Sequence, residues 1–277
     1  MIRLKFVPPE NDADWRDWID RCAAEVARML QPGSDRRIEA ELYKRQRERL
    51  LAATNRKCAY CELPLAAGQR AGDVEHYRPK ARVRDGTGKL VKIRRPDGSE
   101  APHPGYFWLA YEYRNLLPAC SACNRRATDR ASGRLTGKAD IFPTLDDRWA
   151  AMPEELPNEK PALLNPWLPE DNPTDHLAFD PETGLVMGLT ERGRLTVSLL
   201  GLNRDGLPEA RLSAAQDVRR IFGDAVEDRA RREVSDEDAR RLQAVKDGSA
   251  AYAAVCRVEL KRTVRKVRSW LDWVDDD

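Results

Sequence analysis

Two Cys-x-x-Cys pairs, Cys58-Ala-Tyr-Cys61 and Cys120-Ser-Ala-Cys123, constrain this chain more than any other feature. Together they supply four thiolates, the tetrahedral donor set of a structural Zn²⁺ site. The 58 residues between Cys61 and Cys120 are too many for a simple finger, so a folded unit must lie between the two knuckles. Six cysteines in 277 residues do not read as a disulfide framework of the kind that staples small secreted domains. Cys22 and Cys256 fall in helical patterns and read as ordinary core residues.

The N-terminal stretch MIRLKFVPPENDADW carries acids early and no apolar core of a signal peptide. Uncharged runs reach only about a dozen residues, short of the 18 or so that a membrane span needs. The expected compartment is therefore the cytoplasm, with no membrane partner. With 41% hydrophobic and 34% charged residues, the composition is that of a globular protein with a heavily ionised surface.

The net charge of +2 is unevenly placed. Residues 76–95 carry +7 and residues 114–138 carry +5, so everything else sums to −10. Positive charge is thus gathered around the cysteine-bounded unit, as expected of a polyanion-binding face on an acidic body.

Periodicity places a first amphipathic helix from Trp15 to Leu30, stopped at Pro32-Gly33. A second is expected from an N-cap at Ser34 to about Thr54. Residues 86–100 read as a β-hairpin or basic loop. Residues 143–181, rich in proline, read as an ordered connector or a linker, followed by helices over 190–200, 206–231 and 235–273. The expectation is an α+β chain, mostly helical around a central unit. Its regions are 1–55 (helical), 56–145 (core with knuckles and basic insertion), 146–189 (connector) and 190–277 (helical).

Between the knuckles lies Asp73-Val-Glu-His-Tyr-Arg-Pro-Lys80, and around the second lies Asn115-Leu-Leu-Pro-Ala-Cys-Ser-Ala-Cys-Asn124. An acid–His pair, an Asn, and a second Asn nine residues later, clasped by two cysteine pairs, resemble the HNH nuclease motif. That resemblance implies a ββα-metal finger, a hairpin and short helix gripping one divalent ion beside a histidine. Imidazole titrates near neutral pH, which suits His76 to take a proton from attacking water. Glu75 and Asn124 offer a carboxylate and an amide oxygen, hard donors suited to Mg²⁺ or Mn²⁺. On a regular strand Glu75 and His76 would face opposite ways, so a shared site requires a bulge, and Asp73 is the alternative ligand. The resemblance further implies that Asn115 braces the loop that orients His76. It also implies a ligand four residues after Asn124, where this chain has Thr128. Arg78, Lys80, Arg125 and Arg126 are the nearest candidates for phosphate contacts. His103 and His176 read as loop and packing histidines.

The segments 74–80, 106–111, 115–124, Leu-Leu-Asn-Pro (163–166) and Leu-Leu-Gly-Leu-Asn-Arg (199–204) are similar to those of one branch, the HNH nucleases of retron and Septu-type anti-phage systems. The likeness covers about residues 35–220. It implies a metal-dependent endonuclease, on DNA in the first instance, with an ABC/SMC-like AAA ATPase subunit and in some systems a retron reverse transcriptase with its single-stranded DNA. No GxxxxGK[ST] occurs in these 277 residues, so ATP hydrolysis would have to come from such a partner. An RNA-cutting effector, for instance of tRNA, and a non-catalytic zinc module that binds nucleic acid are the two alternatives.

Overall fold

In a computed structural model, residues 1–66, 72–95, 97–229 and 235–275 are described. Helix α1 (Ala13–Leu30) starts where the Asp12 carboxylate accepts from the Trp15 N–H, satisfying a donor that the first turn leaves open. Its apolar stripe buries Trp15, Trp18, Cys22 and Met29, and the Trp18 indole N–H donates to the Leu42 carbonyl at 2.8 Å. Burying such a side chain contributes about 1.5–3 kcal/mol, and the indole bond spares it an unsatisfied donor.

The expected single helix from Ser34 to Thr54 is instead two short ones, α2 (Ala40–Lys44) and α3 (Arg47–Ala53). Arg36 adopts a left-handed conformation, φ 51°, and the Asp35 carboxylate caps the Arg37 N–H, so residues 34–39 cannot join a helix.

Strand β1 (Asp73–His76) leads to the basic insertion, a hairpin of β2 (Lys92–Arg94) and β3 (Glu100–Pro102). The chain then returns as β4 (Leu116–Ala119) and turns into a one-turn helix, α4 (Ser121–Asn124). β1 and β4 pair antiparallel with Asp73 opposite Ala119 and His76 opposite Leu116, in unbroken register. All four β4 residues are buried. This pair lies inside the protein, clamped by the Trp167 indole on the Leu116 carbonyl and the Tyr77 hydroxyl on the Leu163 carbonyl.

Two minimal strands follow, β5 (Ala127–Thr128) and β6 (Leu135–Thr136). The proline-rich connector is ordered. It holds two 3₁₀ turns, a short helix α5 (Pro173–His176), and a hairpin of β7 (Leu177–Phe179) and β8 (Val186–Gly188).

Helix α6 (Glu191–Leu199) is capped by Thr190 and ends before Gly201 at φ 57°. Then come α7 (Leu207–Arg229), α8 (Asp236–Asp247) and α9 (Ala253–Asp275). The last two were expected as one helix; Gly248 at φ 88° ends the first in a left-handed cap. α7 and α9 pack on each other, and Ala215, Val218, Val255 and Leu260 of these helices are buried in the core. The architecture is α+β, helices from both ends enclosing a small central sheet.

Candidate active site on a four-cysteine finger

Each cysteine pair is held by the backbone of the finger itself. The Cys58 N–H donates to the Leu63 carbonyl and the Ala59 N–H to the Pro118 carbonyl, tying the first knuckle to β4. Cys120 is the residue from which α4 starts, and Cys123 lies within it. All four are buried, and their sulfurs lie within 4.8 Å of one another. A Zn–S bond of about 2.3 Å sets the edge of a ZnS₄ tetrahedron at about 3.8 Å. Cys61 and Cys120 sit 3.7 Å apart, close to that edge, so the cluster could hold zinc. Cys22 and Cys256 are buried singly, in α1 and α9.

β1 is regular, with no bulge, so its consecutive side chains enter different surroundings. His76 is enclosed, its ring edge-on to Tyr43 at 4.7 Å. Its Nε2 lies 2.9 Å from the Ala110 carbonyl, which can only accept, so Nε2 carries the hydrogen and the lone pair is on Nδ1. The Lys80 ammonium stands 3.3 Å from that Nδ1 and 4.6 Å above the Tyr43 ring. Asn115 builds the wall behind the histidine. Its side-chain oxygen accepts from the Arg78 N–H at 2.7 Å, and its amide donates to the Arg78 and Leu109 carbonyls. One buried side chain thus fixes both the turn after His76 and the loop whose Ala110 carbonyl holds the ring.

Burial pushes the His76 pKa down to about 3, and the positive charge of Lys80 acts in the same direction. The folded ring stays neutral as pH falls from 6.5, the ordinary value, towards 3, while the unfolded chain takes up a proton. Stability present above pH 6.5 is therefore lost progressively across that window, at up to about 1.4 kcal/mol per pH unit. Urea unfolding between pH 7 and pH 4 should show a flatter profile for His76→Gln than for the wild type; parallel profiles would contradict this.

On the other side of β1, Glu75 was expected to face a metal and instead meets an internal cation. The Lys138 ammonium, fully buried, donates to Glu75 Oε1 at 2.7 Å and to the His76 carbonyl at 2.7 Å. Burial raises the Glu75 pKa, with Lys138 opposing it. Lys138 reaches this position because its N–H bonds to the Cys123 carbonyl and the Ala139 N–H to the Asn124 carbonyl, folding 137–139 against α4. Gly137 makes the approach possible: at φ 94° it passes so close that a Cβ would lie 1.9 Å from the Arg125 carbonyl oxygen. Removing one partner of a buried pair strands the other charge, at about 3–5 kcal/mol. Glu75→Gln should lower stability by about that amount, and Glu75→Gln with Lys138→Met by less, as chemical denaturation would show.

Asp73 and Asn124 are the hard donors nearest the surface, and Asp73 Oδ2 already pairs with the Arg125 guanidinium at 3.3 Å. The Asn124 amide lies 2.9 Å from Asp73 Oδ2, and Asp73 is 37% exposed along its side chain. A partly exposed carboxylate fits a divalent cation that keeps several waters, as Mg²⁺ does, but Asn124 turns its amide nitrogen and not its oxygen to Asp73, so it would have to rotate to become a ligand. Glu75, as held by Lys138, does not. Thr128 lies exposed in β5, beyond the end of α4.

The four basic candidates separate. Arg78 forms an internal ion pair with Glu159 at 2.8 Å, against the rings of Tyr77, Tyr106 and Phe142. It is a half-buried residue whose guanidinium is held by the buried Glu159 carboxylate. Arg126 donates to the Gly137 carbonyl and braces the Lys138 loop. Arg125 is open to solvent beside Asp73, and Lys80 is partly open at the His76 pocket. His103 is buried between the Ala150 carbonyl and the Gly105 N–H, and His176 Nδ1 meets the Thr190 hydroxyl; both are structural. Lys138 stood in the sequence as one member of a basic run, and only the neighbouring Gly137 marks a close backbone approach there.

Among the described residues, no helix is long and apolar enough to cross a membrane. No family model matches the chain, and no solved structure matches it. Two curated relatives do. The chain is 31% identical to the Septu protein PtuB of Bacillus mycoides (strain KBAB4) over 199 residues, 70% of this chain and 59% of that protein. It is 30% identical to the Septu protein PtuA of the same strain over 158 residues, 57% of this chain and 19% of that protein. The chain thus spans about three-fifths of the first relative and a fifth of the second, and it is similar to proteins of the Septu system.

Proposed function

We propose that this chain is a metal-dependent endonuclease of the HNH type, cutting DNA as the effector of a Septu-type anti-phage system alongside an ATPase subunit. The observation that carries the reading is the β1–β4–α4 unit itself. It is a hairpin and one-turn helix with a cysteine pair at each end, and it presents His76 with its lone pair on Nδ1 and an Asp73–Asn124 donor pair next to α4.

Hydrolysis of a phosphodiester needs a base for the attacking water, a countercharge at the phosphate, and exclusion of other orientations. As held, with a pKa of about 3, His76 is a weak base; it accepts the water's proton at Nδ1 once substrate has opened the pocket and drawn Lys80 away, while the Ala110 carbonyl and Asn115 keep the ring in place. Lys80, now 3.3 Å from Nδ1, is close enough for a phosphate oxygen to draw its ammonium off the histidine, exposing the base as substrate arrives. Asp73 and Asn124 would hold Mg²⁺ or Mn²⁺, which neutralises charge on the scissile phosphate and the departing 3′ oxygen. Arg125 adds positive charge at the same edge. The defence role and the partner rest on the likeness to PtuB and PtuA and on the five shared segments described above.

The test is cleavage of supercoiled plasmid and of total RNA with Mg²⁺, Mn²⁺ or EDTA, with and without a candidate ATPase subunit. Plasmid cleavage that EDTA abolishes is the expected result. Cutting confined to RNA would make it a ribonuclease. Nucleic acid bound but intact in every lane would make it a zinc binding module.

A further inference from the structure

The segment Leu199-Leu-Gly-Leu-Asn-Arg204 has no part in the chemistry above, yet each of its residues is committed. The Leu199 carbonyl accepts from the Gly137 N–H at 2.8 Å, and Leu200 and Leu202 are buried in the core. Gly201 runs so close to Thr136 that a Cβ would lie 2.8 Å from that side chain. Asn203 brackets Val186, accepting from its N–H and donating to its carbonyl, both at 2.8 Å. All of this aims one side chain. Arg204 Nη1 lies 3.5 Å from Cys123 Sγ, and Nη2 lies 3.5 Å from both Cys61 and Cys120 Sγ. The remaining Nη1 bonds go to the Leu200 and Gly201 carbonyls at 3.2 Å, which hold the guanidinium in its plane.

Among the described residues, no carboxylate pairs with Arg204; three sulfurs face it instead. Neutral thiols are weak acceptors and give a turned-in cation little in return for its lost hydration. Four thiolates around Zn²⁺ carry a net charge of −2, and N–H···S⁻ bonds from a planar, permanently charged fork suit that charge. We propose that Arg204 is the outer-sphere cation of the four-cysteine centre, bonding three of its four sulfurs, lowering the centre's net charge, and slowing both loss of zinc and attack on the thiolates. The inference rests on the zinc centre and not on the nuclease reading. It assigns the 199–204 segment the task of carrying a charge from the α6–α7 turn to a metal finger whose ligands end at residue 123.

The experiment compares the zinc-loaded full chain with Arg204→Leu, Arg204→Lys and Asn203→Ala. Zinc transfer to a chromogenic chelator and the rate of alkylation by iodoacetamide are read alongside circular dichroism. Outer-shell partners of metal ligands are worth about 10–100-fold in metal affinity, so both Arg204 variants should lose zinc that much more readily and alkylate faster. Lysine keeps the charge and the stem, but its single ammonium cannot span three sulfurs. Asn203→Ala loosens the same turn without touching a sulfur and should retain zinc as the wild type does. If Arg204→Leu does not fold, Arg204→Lys carries the test. Wild-type zinc retention in Arg204→Lys, or equal loss in Asn203→Ala, would overturn the proposal. A wild-type protein that binds no zinc at all would remove the zinc reading, and this inference with it.

Discussion

His76→Ala should abolish cleavage, by about 10²–10⁴-fold if the ring acts as the general base, while leaving zinc content, folding and nucleic-acid binding in place. The expectation follows from how the ring is held. Its Nε2–H is committed to the Ala110 carbonyl, and Asn115 fixes that loop through the Leu109 carbonyl, so the ring is held in one orientation. Truncation leaves a cavity beside Tyr43 and frees Lys80, whose charge then favours phosphate if anything. Binding measured by mobility shift should hold while turnover disappears. Asn115→Ala should show the graded version of the same defect, because the histidine stays but its support goes. A His76→Ala protein that still cuts at the wild-type rate would place the base elsewhere.

Cys58→Ser and Cys120→Ser should have an effect of another kind and a larger one on the fold. Structural zinc contributes an apparent binding free energy of about 10–16 kcal/mol in small fingers, and that free energy is folding free energy. Here the four sulfurs join the end of α3 to the β4–α4 turn, and the Ala59 N–H on the Pro118 carbonyl shows how closely the two knuckles are joined. Either serine variant should emerge with little bound zinc and a much lower Tm, and its loss of activity should parallel its loss of structure. The contrast with His76→Ala is the informative result: one variant folded, zinc-replete and inactive, the other deprived of zinc and unfolded. Full zinc content and an unchanged Tm in both serine variants would show that the cluster is not a metal centre.

Much of this arrangement was legible in the chain because it depends on local spacing. Two residues between paired cysteines bring both sulfurs to one ion, and that geometry needs no knowledge of the rest of the fold. The α1 helix was readable for the same reason, its stripe of Trp15, Trp18, Cys22 and Met29 being set by the helical period. What escaped were the long-range electrostatic pairings. Arg78 and Lys138 sit in runs of positive charge that look alike, yet one closes on Glu159, 81 residues away, and the other on Glu75, 63 residues earlier. Nothing local distinguishes a lysine that will be buried from one that will be solvated. The break between α2 and what precedes it was missed because Arg36 takes a backbone conformation usually left to glycine. The opposite facing of Glu75 and His76 on a regular strand was expected, and the unbroken register with β4 shows that β1 has no bulge to undo it.

The closeness of Cys61 and Cys120, 3.7 Å apart in space and 59 residues apart in sequence, also fixes an order of events during synthesis. A ribosome adding about 5–20 residues per second takes several seconds to cover that interval. Throughout it, the first cysteine pair has left or is leaving the ribosome without its partners. Completion of the tetrahedron waits for the second pair, and the sulfurs wait longer still for Arg204, 84 residues beyond Cys120. All four cysteines are present once residue 123 of 277 has been added, so a zinc finger here would close near the middle of each round of synthesis. Cells starved of zinc during expression should accumulate chains whose N-terminal helices have formed and whose central sheet has not.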